Sequence, residues 1–233
     1  VAARCETNTI SIKSEGFPRD VVALSERVPD PERYFTSGAL IAGVAEGFCR
    51  AGLRVGGFVA YTTSNVLKGS GLSSSAAFED MVGNILNYLY NDGSVDNAEI
   101  AKIAQFAENE FFGKPCGLMD QVACAVGGFV SIDFADPKAP VIQKSDFDLA
   151  AHGYALCIVS TGGNHADLNE DYASVPAEMK AVAQHFGQQT LRGISRAQVV
   201  AALPQLRESV GDRAILRALH FLAENDRVAA QSE

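Results

Sequence analysis

Two glycines and three consecutive serines lie close together in Lys68-Gly69-Ser70-Gly71-Leu72-Ser73-Ser74-Ser75-Ala76-Ala77-Phe78-Glu79. Before this stretch, Arg54 to Tyr61 mixes β-branched and aromatic residues at strand length. After it, Ala77, Met81, Ile85 and Leu89 recur every four residues, which predicts an amphipathic helix with that stripe turned inward. A Gly-rich turn that opens a helix leaves backbone N–H groups unpaired at the positive end of the helix dipole. That is an anion site, and phosphate is the anion that most often fills it. Glycine lets the backbone approach a phosphate, and serine hydroxyls can bond to it or reach its Mg²⁺. The stretch is not a Walker loop, because no Gly-Lys-Ser/Thr follows. It is not a nucleophile elbow either, because no glycine stands two residues after a candidate serine. Alone, such a cluster also describes an ordinary loop.

Four further residues could carry chemistry. Asp120 falls in the first turn of a short helix expected to start near Cys116-Gly117. A carboxylate there can simply complement the dipole, or it can act as a base that the dipole keeps ionised. Glu108 sits at the edge of an apolar stripe, where acidic residues are commonly solvated. Tyr172 reads as an amphipathic boundary residue. His165 follows Gly162-Gly163 in a loop and reads as a neighbour of the site. His220 and Glu224, one helical turn apart, read as a surface pair.

The elements that would position these residues can be read in order. Thr7 to Ser14 alternates as a strand, and Asp20 to Leu24 is a weaker one. A helix follows from about Phe35 to Ala51, with Ile41, Val44, Ala45 and Phe48 inside and Gly52 as its stop. Asp96 and Glu99 start a helix whose stripe is Ile100, Ile103, Ala104, Ala107 and Phe111, and Gly113-Lys114-Pro115 breaks it. Gly128 to Phe134 is the next strand, and Val141-Ile142 another. The continuous apolar run from Tyr154 to Ser160 predicts a central, buried strand. Beyond about Tyr172 the pattern is helical throughout. Met179, Val182, Ala183 and Phe186 form one stripe, Ser195 with Gln198 caps the next helix up to Pro204, and Ile215, Leu216, Leu219 and Leu222 mark the last. Mixed elements followed by helices alone predict two regions.

The 233 residues suffice for one large domain, and a net charge of −9 argues against nucleic acid and anionic membrane as partners. Cys5, Cys49, Cys116, Cys124 and Cys157 are odd in number and widely spaced, and read as reduced core thiols of a cytoplasmic protein. No apolar run has transmembrane length, and no signal peptide is evident.

Gly71-Leu72-Ser73-Ser74-Ser75-Ala76 resembles the phosphate loop of the GHMP small-molecule kinases, and the triple serine resembles its galactokinase form. Cys116-Gly117-Leu118-Met119-Asp120-Gln121 resembles the galactokinase motif that carries the catalytic aspartate. The resemblance implies an α+β GHMP kinase fold. Its N-terminal mixed domain, with the phosphate loop, would span residues 1–160 without the family's first strands. A partial, mainly helical C-terminal domain would span 161–233. It implies ATP and Mg²⁺ as cofactors and a sugar as substrate, with the γ-phosphoryl group passing to the anomeric hydroxyl of galactose. Asp120 would be catalytic and would also contact the sugar, as would Gly117 and Tyr172. Gly69, Ser70, Gly71, Leu72, Ser73, Ser74, Ser75 and Ala76 would hold the nucleotide. Glu108, with Ser74 or Ser75, would bind the metal. Lys68 departs from the proline or small residue common near that position and is either a charge beside the phosphates or plain surface. The family's N-terminal arginine and Glu-His-Asp cluster, and its Gly-rich C-terminal motif, have no counterpart, so a fragment inactive as a kinase is expected. Alternatives are a kinase for N-acetylgalactosamine or mevalonate, or a non-catalytic galactose and ATP sensor.

Overall fold

The computed structural model describes residues 1–66, 71–159 and 169–232. Lys68, Gly69, Ser70 and His165 lie outside the described residues. Strands β1 (Ala2–Arg4), β2 (Thr9–Ser14), β3 (Arg19–Ala23) and β4 (Phe58–Thr62) form a four-stranded sheet in the order β1-β4-β2-β3. β2 runs parallel to β4, with Ile10 opposite Phe58 and Ile12 opposite Ala60. All four side chains are buried on one face, as a strand of period two allows. β1 and β3 are the antiparallel edges.

Helix α1 (Ser37–Arg50) covers that face with Ile41, Val44, Ala45 and Phe48, the stripe expected from sequence. The Thr36 hydroxyl accepts from the Ala39 amide at 3.2 Å and so caps α1, a contact worth ~1 kcal/mol in such positions. Three elements then pack around α1: α2 (Ser74–Tyr90), α3 (Asn97–Phe106) and a π-helical turn (Ala107–Phe112) that continues α3. Gly43 permits a close backbone approach. A Cβ there would stand 2.8 Å from Ala107 Cα, so only glycine lets the π turn lie against α1. Gly113, at φ +76°, ends the turn where the sequence predicts a break. Helix α4 (Met119–Val126) follows, starting three residues later than the sequence suggests.

β5 (Phe129–Asp133) and β6 (Val141–Ser145) pair as a two-stranded sheet. The later helices are α5 (Asn169–His185), α6 (Arg196–Ala201), α7 (Leu203–Ser209) and α8 (Gly211–Ser232). Ser195 and Gln198 form the expected capping box of α6, and Pro204 opens α7 rather than only ending α6. Among described residues the chain divides into two compact units. One takes in Val1–Val130 and Asp146–Gly163; the other takes in Ser131–Ser145 and Asn164–Glu233.

Two expectations need correcting. Residues 154–159 are not a buried strand: they have no regular structure and are exposed, Leu156 by 77%. Among the described residues no strand pairs with them, and an apolar run becomes a central strand only where neighbours cover both faces. The cysteines are free but not core thiols; none is fully buried, and Cys124 and Cys157 are exposed. No helix among the described residues is long and apolar enough to cross a membrane.

Candidate active site

Ser73 immediately precedes α2 and adopts the left-handed conformation, φ 54° and ψ 46°. A serine in this position ordinarily sits in the β region and caps the first turn with its side chain. Ser73 does not cap; its hydroxyl donates instead to Asp120 Oδ2 at 2.6 Å. The first-turn amides of a 17-residue helix are thus left without that cap, at the positive end of its dipole. Gly71, at φ +76°, gives the turn its second left-handed residue. Gly71, Leu72, Ser73, Ser74, Ser75 and Ala76 therefore form the turn and first residues of a helix start whose amides can receive an anion. Asp120, exposed in the first turn of α4, is tied to it by one hydrogen bond.

Glu108 is only 2% exposed. The solvated reading of its position fails because the π turn shifts the helical phase. Its extra residue brings Ala107, Glu108 and Phe111 inward together. Ser75 Oγ donates to Glu108 Oε1 at 2.8 Å, Lys114 Nζ reaches the same oxygen at 3.0 Å, and Gln121 Nε2 donates to Oε2 at 2.7 Å. Burial is the largest influence on Lys114 and works against its charge, but the hydrogen bond to Glu108 and the negative charge around it together outweigh burial and raise the ammonium pKa. Ser75 rather than Ser74 meets this carboxylate. The oxygens fit Mg²⁺: one carboxylate and one hydroxyl, with phosphate and water to complete the shell, is the ligation this hard cation accepts. Among the described residues no group of three or more His, Cys, Asp or Glu could hold a metal by itself.

Beneath this pair lies a layer that sequence reasoning missed. The buried face of α2 runs through Ala76, Glu79, Asp80, Val82, Gly83, Leu86 and Asn87, one position off the expected stripe of Ala77, Met81, Ile85 and Leu89. Met81, Ile85 and Leu89 only border the core. Burial, then the Glu108 charge, pushes the Glu79 carboxyl up to about 9, and burial pushes Asp80 up to about 8. Both are therefore neutral at pH 7. Gln121 Nε2 also approaches Glu79 Oε2 at 3.4 Å, so this amide links the two acidic residues. Counting Glu79 and Asp80 at helical spacing from Ala76 would have exposed the face, had carboxylates not been assigned to solvent. Partial burial, then the Glu108 charge, pushes the Cys116 thiol up to about 12, which keeps it protonated and a poor nucleophile.

A Cβ at Gly117 would meet open space, so the backbone before α4 is accessible. Tyr172 lies on α5, in the other compact unit, and is 57% exposed. Its role in sugar binding rests on the resemblance alone.

Residues 39–128 match the GHMP kinases N terminal domain family. A galactokinase of Actinobacillus pleuropneumoniae serotype 3 (strain JL03) is 36% identical over 166 residues, covering 71% of this chain and 42% of the relative. A galactokinase of Streptomyces coelicolor is 31% identical over 231 residues, 97% of this chain and 58% of the relative. The crystal structure of Lactococcus lactis galactokinase complexed with galactose matches with a TM-score of 0.75 at 24% identity, over 98% of this chain and 59% of that one. The chain spans about half the length of the curated relatives it matches. Its fold is the α+β fold of the GHMP kinases, in the form galactokinases take.

Proposed function

We propose that this chain, a GHMP kinase relative similar to galactokinases along nearly its whole length, is part of an ATP-dependent galactokinase. The reaction is transfer of the γ-phosphoryl group of MgATP to the anomeric hydroxyl of galactose. One observation carries the reading: Ser73 and Ser75, two residues apart at one helix start, each hold a different carboxylate, Asp120 and Glu108. A proton-accepting group and a metal-binding group are thereby fixed beside the same cluster of amides. In phosphoryl transfer such positioning and charge placement supply most of the catalysis.

Asp120 accepts or orients the proton of the sugar hydroxyl, and the open backbone at Gly117 admits the sugar, with Tyr172 a further contact. The amides and hydroxyls of Gly71 to Ala76, continuing from Gly69 and Ser70, hold the phosphates. Ser75 and Glu108, with Ser74 beside them, hold Mg²⁺, which neutralises charge on the phosphoryl group when bound. We read residues 1–160 as the nucleotide-binding domain, 161–233 as part of a helical domain, and the protein as cytoplasmic, with small molecules as its partners. The test is ADP release by the purified whole protein against galactose, N-acetylgalactosamine and mevalonate. Stimulation by galactose above the other two is expected. No stimulation by galactose, with galactose and ATP still bound, would make the protein a sensor instead.

A further inference from the structure

The reading above leaves one charged group at the site without a task. Lys114 Nζ stands 3.0 Å from Glu108 Oε1, the same oxygen that Ser75 Oγ reaches at 2.8 Å. The backbone of Lys114 is anchored as well, since its amide donates to the Glu108 carbonyl at 3.2 Å. Gly113 precedes it in the left-handed conformation and Pro115 follows it with a fixed φ, so the stem leaves the chain from a defined point. The side chain is 44% exposed while Glu108 is buried. The ammonium therefore sits at the mouth of the site, between a buried carboxylate and solvent.

We propose that Lys114 is a triphosphate-binding residue, whose ammonium rests on Glu108 Oε1 in the free chain and turns to a phosphate oxygen when MgATP binds. The inference rests on the phosphate-site reading of Ser73 to Ala76 and Glu108. A hard cation held by Glu108 Oε1 and Ser75 Oγ would take the oxygen that the ammonium now occupies. Two cations cannot share it within a few ångströms without strong repulsion in a partly buried site. The ammonium must then leave, yet its backbone stays pinned to Glu108. A lysine has a flexible four-carbon stem and three donors that follow a point charge. The anion within its reach is the one bound at the first turn of α2, where Ser75 sits. Lys114 thereby supplies a full positive charge to a phosphate site otherwise made, among its described residues, of amides and hydroxyls.

The test is calorimetric titration of the purified whole protein and its Lys114→Met and Lys114→Arg variants with ATP and AMP in the presence of Mg²⁺. Lys114→Met also removes the counter-charge of buried Glu108, so the thermal midpoint of each variant is measured alongside and the titrations are run well below it. Lys114→Met is expected to weaken ATP binding by ~10-fold or more, the worth of one charge-assisted hydrogen bond, and to leave AMP binding within twofold. Lys114→Arg should recover part of the loss. Equal or tighter MgATP binding by Lys114→Met would overturn the proposal, because the ammonium would then be only a competitor of the metal. Equal losses for ATP and AMP would also overturn it. A parent protein that binds no nucleotide with Mg²⁺ would remove the phosphate-site reading itself, and this inference with it.

Discussion

The two compact units bury different kinds of side chain. Glu79, Asp80, Asn87, Asn91, Glu108 and Gln121 are the buried polar residues among those described, and all six belong to the unit that holds Ser73 and Asp120. The other unit closes on Val182, Ala183, Leu191, Ile194, Val199, Leu206, Ala214, Ile215 and Ala218, an apolar cluster throughout. Within the first unit a second distinction appears. Asn91 is satisfied: it accepts from the Arg54 amide and donates to the Arg54 and Leu86 carbonyls, which staples a turn. Asp80 has both carboxyl oxygens buried without a partner, and Glu79 and Gln121 each have one. Buried polar groups are nearly always paired, because leaving one unpaired costs ~1–3 kcal/mol. One further buried oxygen without a hydrogen bond, Glu178 Oε2 in the other unit, is neutralised by Arg217 Nη1 at 2.8 Å. The unpaired oxygens of the fully buried residues, by contrast, belong to the unit that holds Ser73 and Asp120. That pattern is what a charged ligand site requires: polarity kept at some cost to stability, next to a core that would be steadier without it.

The strongest way to break this comparison is to remove chemistry without removing structure. Asp120 is exposed and accepts a hydrogen bond from Ser73, so Asp120→Asn should leave the fold intact. In the whole protein it should lower turnover by ~10²–10⁴ while nucleotide binding stays near its original strength, as expected for loss of a general base. Steady-state ADP release measures it; more than half of the original turnover would reduce Asp120 to a residue that favours a helix start.

A substitution in the dry unit should do the reverse. Leu206 is fully buried in α7, and Leu206→Ala should cost ~2–5 kcal/mol through lost transfer energy and the cavity left behind. No titratable group belongs to its cluster, so denaturant midpoints at pH 6 and pH 9 should fall by the same amount. A penalty that changes with pH would mean that the second unit is not the dry core described.

How much of each unit could be read from sequence follows the same division. Where side chains of one kind repeat with the helical period, as Ile41, Val44, Ala45 and Phe48 do, pattern and burial coincide. The turn at Gly71 to Ser73 and the helix start at Asp120 are legible because each is local: a few small residues, then a helix. Glu79 and Asp80 are not, since a carboxylate on a helix is assigned to solvent unless its environment is known. Glu108 is hidden by the π turn, whose extra residue changes which side chains face inward. Residues 154–159 fail for a different reason, because hydrophobicity says that a segment seeks cover but not what covers it. β1 is three residues long and too short to announce itself.

Glu108→Gln sharpens the division between the paired and unpaired buried groups. The amide preserves shape and still accepts from Ser75, but it removes the charge that draws Lys114 and a hard cation to Oε1. Mg²⁺-dependent nucleotide affinity should fall by ~10-fold, on the scale of one lost charge-assisted contact, whereas binding without Mg²⁺ should change little. A Mg²⁺ titration that overlays that of the parent chain would end the metal assignment.

A pH-dependent effect is expected at Asp80, with a sign that only the polar unit can show. Burial raises the Asp80 carboxyl from 3.8 to about 8 in the folded chain, while the unfolded chain keeps the lower value. Between those two values the folded state holds a proton that the unfolded state releases, so raising the pH favours unfolding. The stability tied to a neutral Asp80 is complete below about pH 4, drains away as the pH climbs, and is lost once the pH passes about 8. Glu79 adds a similar drain between 4.5 and about 9. Asp80→Asn replaces the carboxyl with a neutral group of the same size and removes one of the two drains. Its thermal midpoint should lie close to that of the parent at pH 4, rise above it progressively through neutral pH, and hold a constant lead above pH 8. Leu206→Ala should give a constant deficit over the same range. Parallel curves for Asp80→Asn and the parent would mean that Asp80 is ionised and hydrated in solution. The layer behind the phosphate loop would then be wet, and the contrast between the two cores would shrink to one of composition.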